Sequence, residues 1–393
     1  MISAKIIADS VNPQGDRLTT MEIVLPRIIL AEAKTHRIIS GLGEQVEVTQ
    51  SLGLNDEFNF SRNSASSRAI PFNKMVKMVE ENPFIPLAVQ YDHKGMQGSS
   101  YFGEREYEAF VASWLHQRDL AVRSAQQLHG QGATKQLCNR LLEPFMYHKV
   151  IVTATEWENF FELRCPKYTL LNHSVAGRQE KVYKSKKDAE LAFGSELNQC
   201  ADELGFYPDD PMFWLTINKS QADIHIQAVA ECMWDVMSGS TPKKLQPGEY
   251  HLPFGDNISS DVTLYSKDPE VQVKLWGKDL IDLQIKIAVA RCARISYETL
   301  GDNPKIDYEA DIRLHDNLLE MKHFSPMEHV ARCMTEEEYL SNVKGELGYE
   351  EIIREPGFET NMFYSGSDVS SHATGWCRNF RGFIQYRSLV DNQ

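Results

Sequence analysis

The 393-residue sequence contains no apolar run approaching the roughly 18 residues that cross a bilayer. Its start, MISAKIIADS, lacks the apolar core of a secretory leader. Seven cysteines are scattered without a C-x-x-C pair, an odd count that fits free thiols in a reducing compartment. Together these absences predict a cytoplasmic protein. The twelve histidines include no H-E-x-x-H or other metal spacing, so no metal is expected. Basic charge is also scarce. The 41 Lys and Arg stand against 55 Asp and Glu, and the net charge of -14 argues against nucleic acid or an anionic membrane surface as partner. There is no P-loop, no Gly-rich dinucleotide fingerprint after a strand, and no G-x-S-x-G nucleophile elbow.

What is present is a globular composition with ample core material. TTMEIVL alternates as a strand does, and Pro26 then opens a helix-like run ending near His36 and Arg37. The polar, Gly-bearing stretch near 41–60 reads as an inserted loop or hairpin. A long helix is expected from Glu104 to about His129. ATKQLCNRLLEPF should be helical until Pro144 ends or kinks it. KVIVTA reads as a strand, and TEWENFFELR as a short helix with capping-box spacing between Thr155 and Glu158. Residues 166–220 are mixed and suggest an insertion or small subdomain. ADIHIQAVAECMWDVM, KDLIDLQIKIAVARCARISY and DYEADIRLHDNLLEMKH are amphipathic helices, and a Ser/Gly loop marks a further insertion near 335–375.

Arginines are the residues most suited to chemistry. Arg37, Arg62, Arg68, Arg140 and Arg164 fall at the ends of predicted elements or in the polar stretch SRNSASSR. Guanidinium groups bind phosphate bidentately, and Ser hydroxyls and loop N–H groups add donors. The stretch is therefore either half of a phosphate cradle or a solvated loop with surface arginines. His225 lies on an otherwise apolar helix, where a satisfied buried histidine is the default. HFSPMEH, from His323 to His329, is a turn by virtue of Pro326.

Taken together, these pieces resemble the flavin-dependent thymidylate synthases, the ThyX family. THRIIS, interrupted and resumed as SRNSASSRA, is similar to that family's R-H-R, S, N-E, S, R-Y signature, and places His36, Arg37, Asn63, Ser66 and Arg68 on matching positions. RLLEP (140–144), NFFELR (159–164) and ADIH (222–225) resemble three further blocks. ARISY (293–297) and HFSPMEH resemble the block that opens the usual family sequence. Here that block lies near the C-terminus, as in a circularly permuted, bacteriophage-type relative, which would act in a host cytoplasm. Thr35 and Ser64 depart from the signature's first Arg and its Glu, and Gln385 and Arg387 in the tail are candidate compensations.

The resemblance implies an α+β fold, a sheet flanked by long helices in a single catalytic domain, assembled as a homotetramer. It implies FAD as cofactor, a deoxypyrimidine nucleotide as substrate, and methylenetetrahydrofolate and NADPH as co-substrates. By carry-over, Ser66, Arg68 and Arg140 hold the nucleotide, and Arg164 faces its pyrimidine ring, so that Arg164 and Ser66 stand closest to the chemistry. His36, Arg37, Asn159, His225, Ser296 and His323 line the flavin. The leading expectation is reductive methylation of dUMP at C5. A related C5 methylation or hydroxymethylation of dCMP or dUMP is the alternative, and a non-catalytic flavin or nucleotide binder the third.

Overall fold

The computed structural model describes residues 1–30, 60–64, 66–94, 98, 100–172, 179–194, 197, 201–202, 204–255, 263–265, 272–274, 278–295, 307–339 and 380–391. Its strands are β1 (Ser3–Val11), β2 (Arg17–Pro26), β3 (Phe60–Ser64), β4 (Tyr147–Ala154), β5 (Tyr168–Asn172), β6 (Gln179–Tyr183), β7 (Lys243–Lys244), β8 (Tyr250–His251), β9 (Thr263–Tyr265), β10 (Gln272–Lys274), β11 (Ala331–Cys333) and β12 (Phe383–Gln385). Its α-helices of six or more residues are α1 (Phe72–Glu81), α2 (Glu104–Gly130), α3 (Glu158–Arg164), α4 (Lys186–Phe193), α5 (Pro211–Ile217), α6 (Ile224–Ser238), α7 (Lys278–Arg294), α8 (Tyr308–Glu320) and α9 (Tyr386–Asp391). The fold is α+β, as the sequence led us to expect.

The central sheet runs β3-β4-β2-β1-β7, antiparallel except where β7 joins β1. Successive side chains of a strand point to opposite faces, and the two faces of this sheet differ in chemistry. One presents Met21, Ile23 and Leu25 of β2 with Val150, Val152 and Ala154 of β4. These pack against Trp157, Phe160 and Phe161 at α3, and Ile226, Val229, Ala230 and Met233 of α6. The opposite face carries Thr20, paired in register with Thr153. It meets a second sheet, β12-β11-β8, through buried polar groups. Residues 168–217 build a cluster of their own around Leu170, Phe193, Phe213 and Trp214.

Three local expectations need correction. The Ser/Arg stretch is not all loop: Phe60–Ser64 is an edge strand whose backbone pairs with β4 from Val150 to Ala154. The Thr155–Glu158 capping box does not form. Trp157 occupies the N-cap without a side-chain cap, and Thr155 Oγ1 accepts from the N–H of Arg381 at 3.4 Å. The segment before Pro144 is helical only for Lys135–Cys138 and continues as a 3-10 turn, Asn139–Phe145, with Pro144 inside it. The helix-like run after Pro26 does begin, with a 3-10 turn, Arg27–Ile29, and a helical Leu30. The rest of that predicted helix, with Thr35, His36 and Arg37, lies outside the described residues, as do Ser296, residues 41–59 and residues 340–379.

Candidate functional site

After β3 the chain turns at residues 66–70, closed by the N–H of Ala69 donating to Ser66 O at 2.9 Å. The neighbouring segment secures the turn's other carbonyls. Asn139 Nδ2 donates to Ser67 O at 2.7 Å and to Ile70 O at 2.9 Å, and Lys135 Nζ donates to Ala69 O at 3.0 Å. Four carbonyls of the turn are thus occupied, while the N–H groups of Ser67, Arg68 and Ile70 have no acceptor among the described residues. Such an imbalance leaves a concentration of donors, the feature of an anion-binding turn.

Helix α1 begins immediately beyond. Pro71 is its N-cap, no side chain caps it, and its first turn holds no acidic residue. The uncapped N–H groups and the helix dipole favour an anion at the same end of the chain. Phe72, its first residue, stacks on His129 at a ring separation of 4.2 Å. Arg68 and Arg140 are exposed, and Ser66 is half-buried. Arg140 follows the fully buried Asn139, so the contacts of Asn139 bring its backbone beside that of Arg68.

Arg68, Arg140 and the half-buried Arg164 have no carboxylate partner among the described residues. Arg27, Arg291, Arg294, Arg332 and Arg387 each have one. Arg164 ends α3, five residues after the start of the NFFELR block at Asn159, which is also half-buried.

His225 sits at the start of α6, where Asp223 caps the helix by accepting from the N–H groups of His225 and Ile226. The N–H of Leu87 donates to His225 Nε2 at 3.1 Å, so Nδ1 bears the proton and faces Asp223 Oδ1 at 3.2 Å. Both ring nitrogens are engaged within the chain, and the ring edge meets Phe84. His225 therefore ties the 84–87 segment to α6.

The ARISY, HFSPMEH and β3 blocks converge. Asn63 Nδ2 donates to Cys292 O at 3.0 Å, joining β3 to the last turns of α7. Ser325–His329 forms a 3-10 turn whose final residue, His329, places Nδ1 2.8 Å from Thr153 Oγ1 on β4. From there a buried polar chain runs on. Thr153 Oγ1 lies 2.7 Å from Thr20 Oγ1, Thr20 Oγ1 lies 2.7 Å from His251 Nε2, and His251 Nδ1 lies 2.9 Å from Ser10 Oγ. Burial pushes both imidazoles down to about 3. His323, by contrast, is exposed at the end of the loop after α8. The tail closes on this turn: Gln385 Nε2 donates to Glu328 O at 3.2 Å, and Arg387 pairs with Glu328.

Sequence reasoning passed over Asn139, Glu143 and His251, which brace these two regions. Asn139 and Glu143 fall in or beside RLLEP, and their position around Arg140 was the available signal. No motif surrounds His251. No helix among the described residues is long and apolar enough to cross a membrane. No group of three metal-ligating side chains is found among them.

No family model and no curated protein matches the chain. Two solved structures of a UMP/dUMP methylase, PolB from Streptomyces cacaoi, align with it. The one bound with 5-Br dUMP is 14% identical, with a TM-score of 0.27, over 47% of this chain and 66% of that one, just under two thirds of its length. The one bound with 5-Br UMP is 12% identical, with a TM-score of 0.30, over 51% of this chain and 90% of that one.

Proposed function

We propose that the protein is a pyrimidine nucleotide C5 methylase of the flavin-dependent thymidylate synthase type, with the nucleotide phosphate held at residues 66–70. One observation carries this reading. Among the described residues the turn has its carbonyls tied down and three of its N–H groups unspent, beside an uncapped helix start and two arginines without carboxylate partners. Phosphate supplies the acceptors that such a site lacks.

In this reading Arg68, Arg140 and the Ser66 hydroxyl bind the phosphate. Arg164 stabilises negative charge developing on the ring oxygens. Ser66 acts as a donor and not as a nucleophile, since no base adjoins it among the described residues. Asn159 and His323, with His36, Arg37 and Ser296, are assigned to the flavin. His225 contributes ring surface and the placement of the 84–87 segment, its nitrogens being engaged. When bound, FAD supplies the redox step of carbon transfer, with methylenetetrahydrofolate as donor and NADPH as reductant. Assembly as a tetramer belongs to the same proposal.

The test is titration of the FAD-loaded protein with dUMP, UMP and dCMP, followed by mass spectrometry of the products formed with methylenetetrahydrofolate and NADPH. Thymidylate from dUMP is the expected result. A methylated or hydroxymethylated cytosine product would move the substrate to dCMP, and a protein that takes up neither FAD nor a nucleotide would refute the reading.

A further inference from the structure

Glu143 is a carboxylate placed next to a turn rich in unspent donors, which is an unfavourable neighbour for an anion unless it does something else. Its contacts show what that is. Ser67 Oγ donates to Glu143 Oε1 in a short hydrogen bond. Asn139 Nδ2 holds the carbonyl of the same residue at 2.7 Å. Ser67 is buried and tied at both its hydroxyl and its carbonyl, leaving its N–H as the remaining polar group.

Glu143 is itself braced. Arg27 Nη2 lies 3.5 Å from Glu143 Oε1, while Arg27 Nη1 lies 3.2 Å from Nε2 of the fully buried His148. The N–H of Arg27 donates to Met146 O at 2.9 Å, which fixes the guanidinium stem to the chain just after Glu143. The arginine offsets the carboxylate's charge, and the Ser67 proton is spent on Glu143.

We infer that Glu143 is a positioning residue for the anion site, acting through Ser67 to set the direction of the Ser67 and Arg68 N–H groups. This rests on the reading of residues 66–70 as a nucleotide phosphate subsite. Removing the Ser67–Glu143 bond frees the turn without removing any donor to the ligand. Its signature is weaker binding beyond what the loss of the bond costs in fold stability and, where turnover is measured, a higher KM at unchanged kcat.

The experiment measures dissociation constants for dUMP and UMP by calorimetry, with melting temperatures, on the full chain carrying Ser67→Ala, Glu143→Leu, Glu143→Gln or Arg68→Ala. Ser67→Ala and Glu143→Leu should each weaken binding about tenfold, as expected for a hydrogen bond to a charged group. Glu143→Gln, whose amide oxygen still accepts from Ser67, should stay within about threefold of the parent, by the same comparison with a neutral acceptor. Parent-like binding by Ser67→Ala and Glu143→Leu, with Arg68→Ala weakened, would overturn the inference alone. Glu143→Gln as weak as Glu143→Leu would make charge, not the hydrogen bond, the cause and would also overturn it. Parent-like binding by Arg68→Ala, or no binding by the parent, would remove the phosphate subsite and the inference with it.

Discussion

Thr153 Oγ1 lies 2.8 Å from His329 Nδ1, and this contact joins the second-outermost strand of the central sheet to the Ser325–His329 turn. Both residues are fully buried. Thr153→Val keeps the shape of the side chain and removes the oxygen. It leaves His329 Nδ1 and Thr20 Oγ1 short of a partner, and an unsatisfied buried polar group costs about 1–3 kcal/mol. Urea unfolding should show a loss of that size. A loss below about 0.5 kcal/mol, the range of an ordinary surface change, would mean that the chain from Ser10 to His329 does not hold the two sheets together.

The same histidines give stability a pH dependence. Burial holds His251 and His329 down to about 3 in the folded state, whereas the unfolded chain takes up protons near the ordinary histidine value. Between those limits the unfolded state binds more protons, so stability rises with pH and is lost as pH falls from about 6.5. Each histidine contributes a slope of up to about 1.4 kcal/mol per pH unit. Denaturant titrations at pH 7 and pH 5.5 test this above the range in which carboxylates of ordinary pKa titrate. Equal stability at the two values would contradict the placement of both rings.

Arg68→Ala and Arg140→Ala should each weaken nucleotide binding by about 1.5–3 kcal/mol, the worth of a charge-assisted hydrogen bond. Melting temperature should not change, because both side chains are exposed and neither pairs with a carboxylate among the described residues. Differential scanning fluorimetry with and without dUMP reads both quantities. A fall in melting temperature without ligand would assign these arginines to the fold.

Gly382 precedes β12 with φ +73. A Cβ there would lie 2.6 Å from Asp16 Oδ2 and closer still to Asn12 Nδ2. Gly382→Ala therefore combines a strained backbone with a steric clash, each of about 1 kcal/mol or more. The expected outcome is a tail that detaches from the β1–β2 turn and becomes susceptible to proteolysis near residue 380. A variant as resistant as the parent would show that the tail is held elsewhere.

How much of this was legible in the sequence depended on the range of the interactions. β2 and the helices at 104–130 and 224–238 were readable because local periodicity and the Asp223 cap encode them. β3 was not, because an edge strand needs only backbone pairing, and its partner β4 lies more than 80 residues away. The Thr155 cap failed for a similar reason: Arg381, from the far end of the chain, takes the hydroxyl. At the site, arginines and serines were recognisable by type. The braces Asn139 and Glu143 were not, since their work is to hold carbonyl and hydroxyl groups of residues about 70 positions earlier.

The line of contacts from Ser10 through His251, Thr20 and Thr153 to His329 has a polarity. Every link is made with one proton, each hydroxyl has one to give, and each neutral imidazole carries one. If both threonine protons are spent within the line, the donors must all point the same way. Pointing from Ser10 toward His329, both rings carry hydrogen on Nε2; pointing back, both carry it on Nδ1. The tautomers of two histidines 78 residues apart are therefore a single variable, and nitrogen chemical shifts measured on one ring report the state of the other.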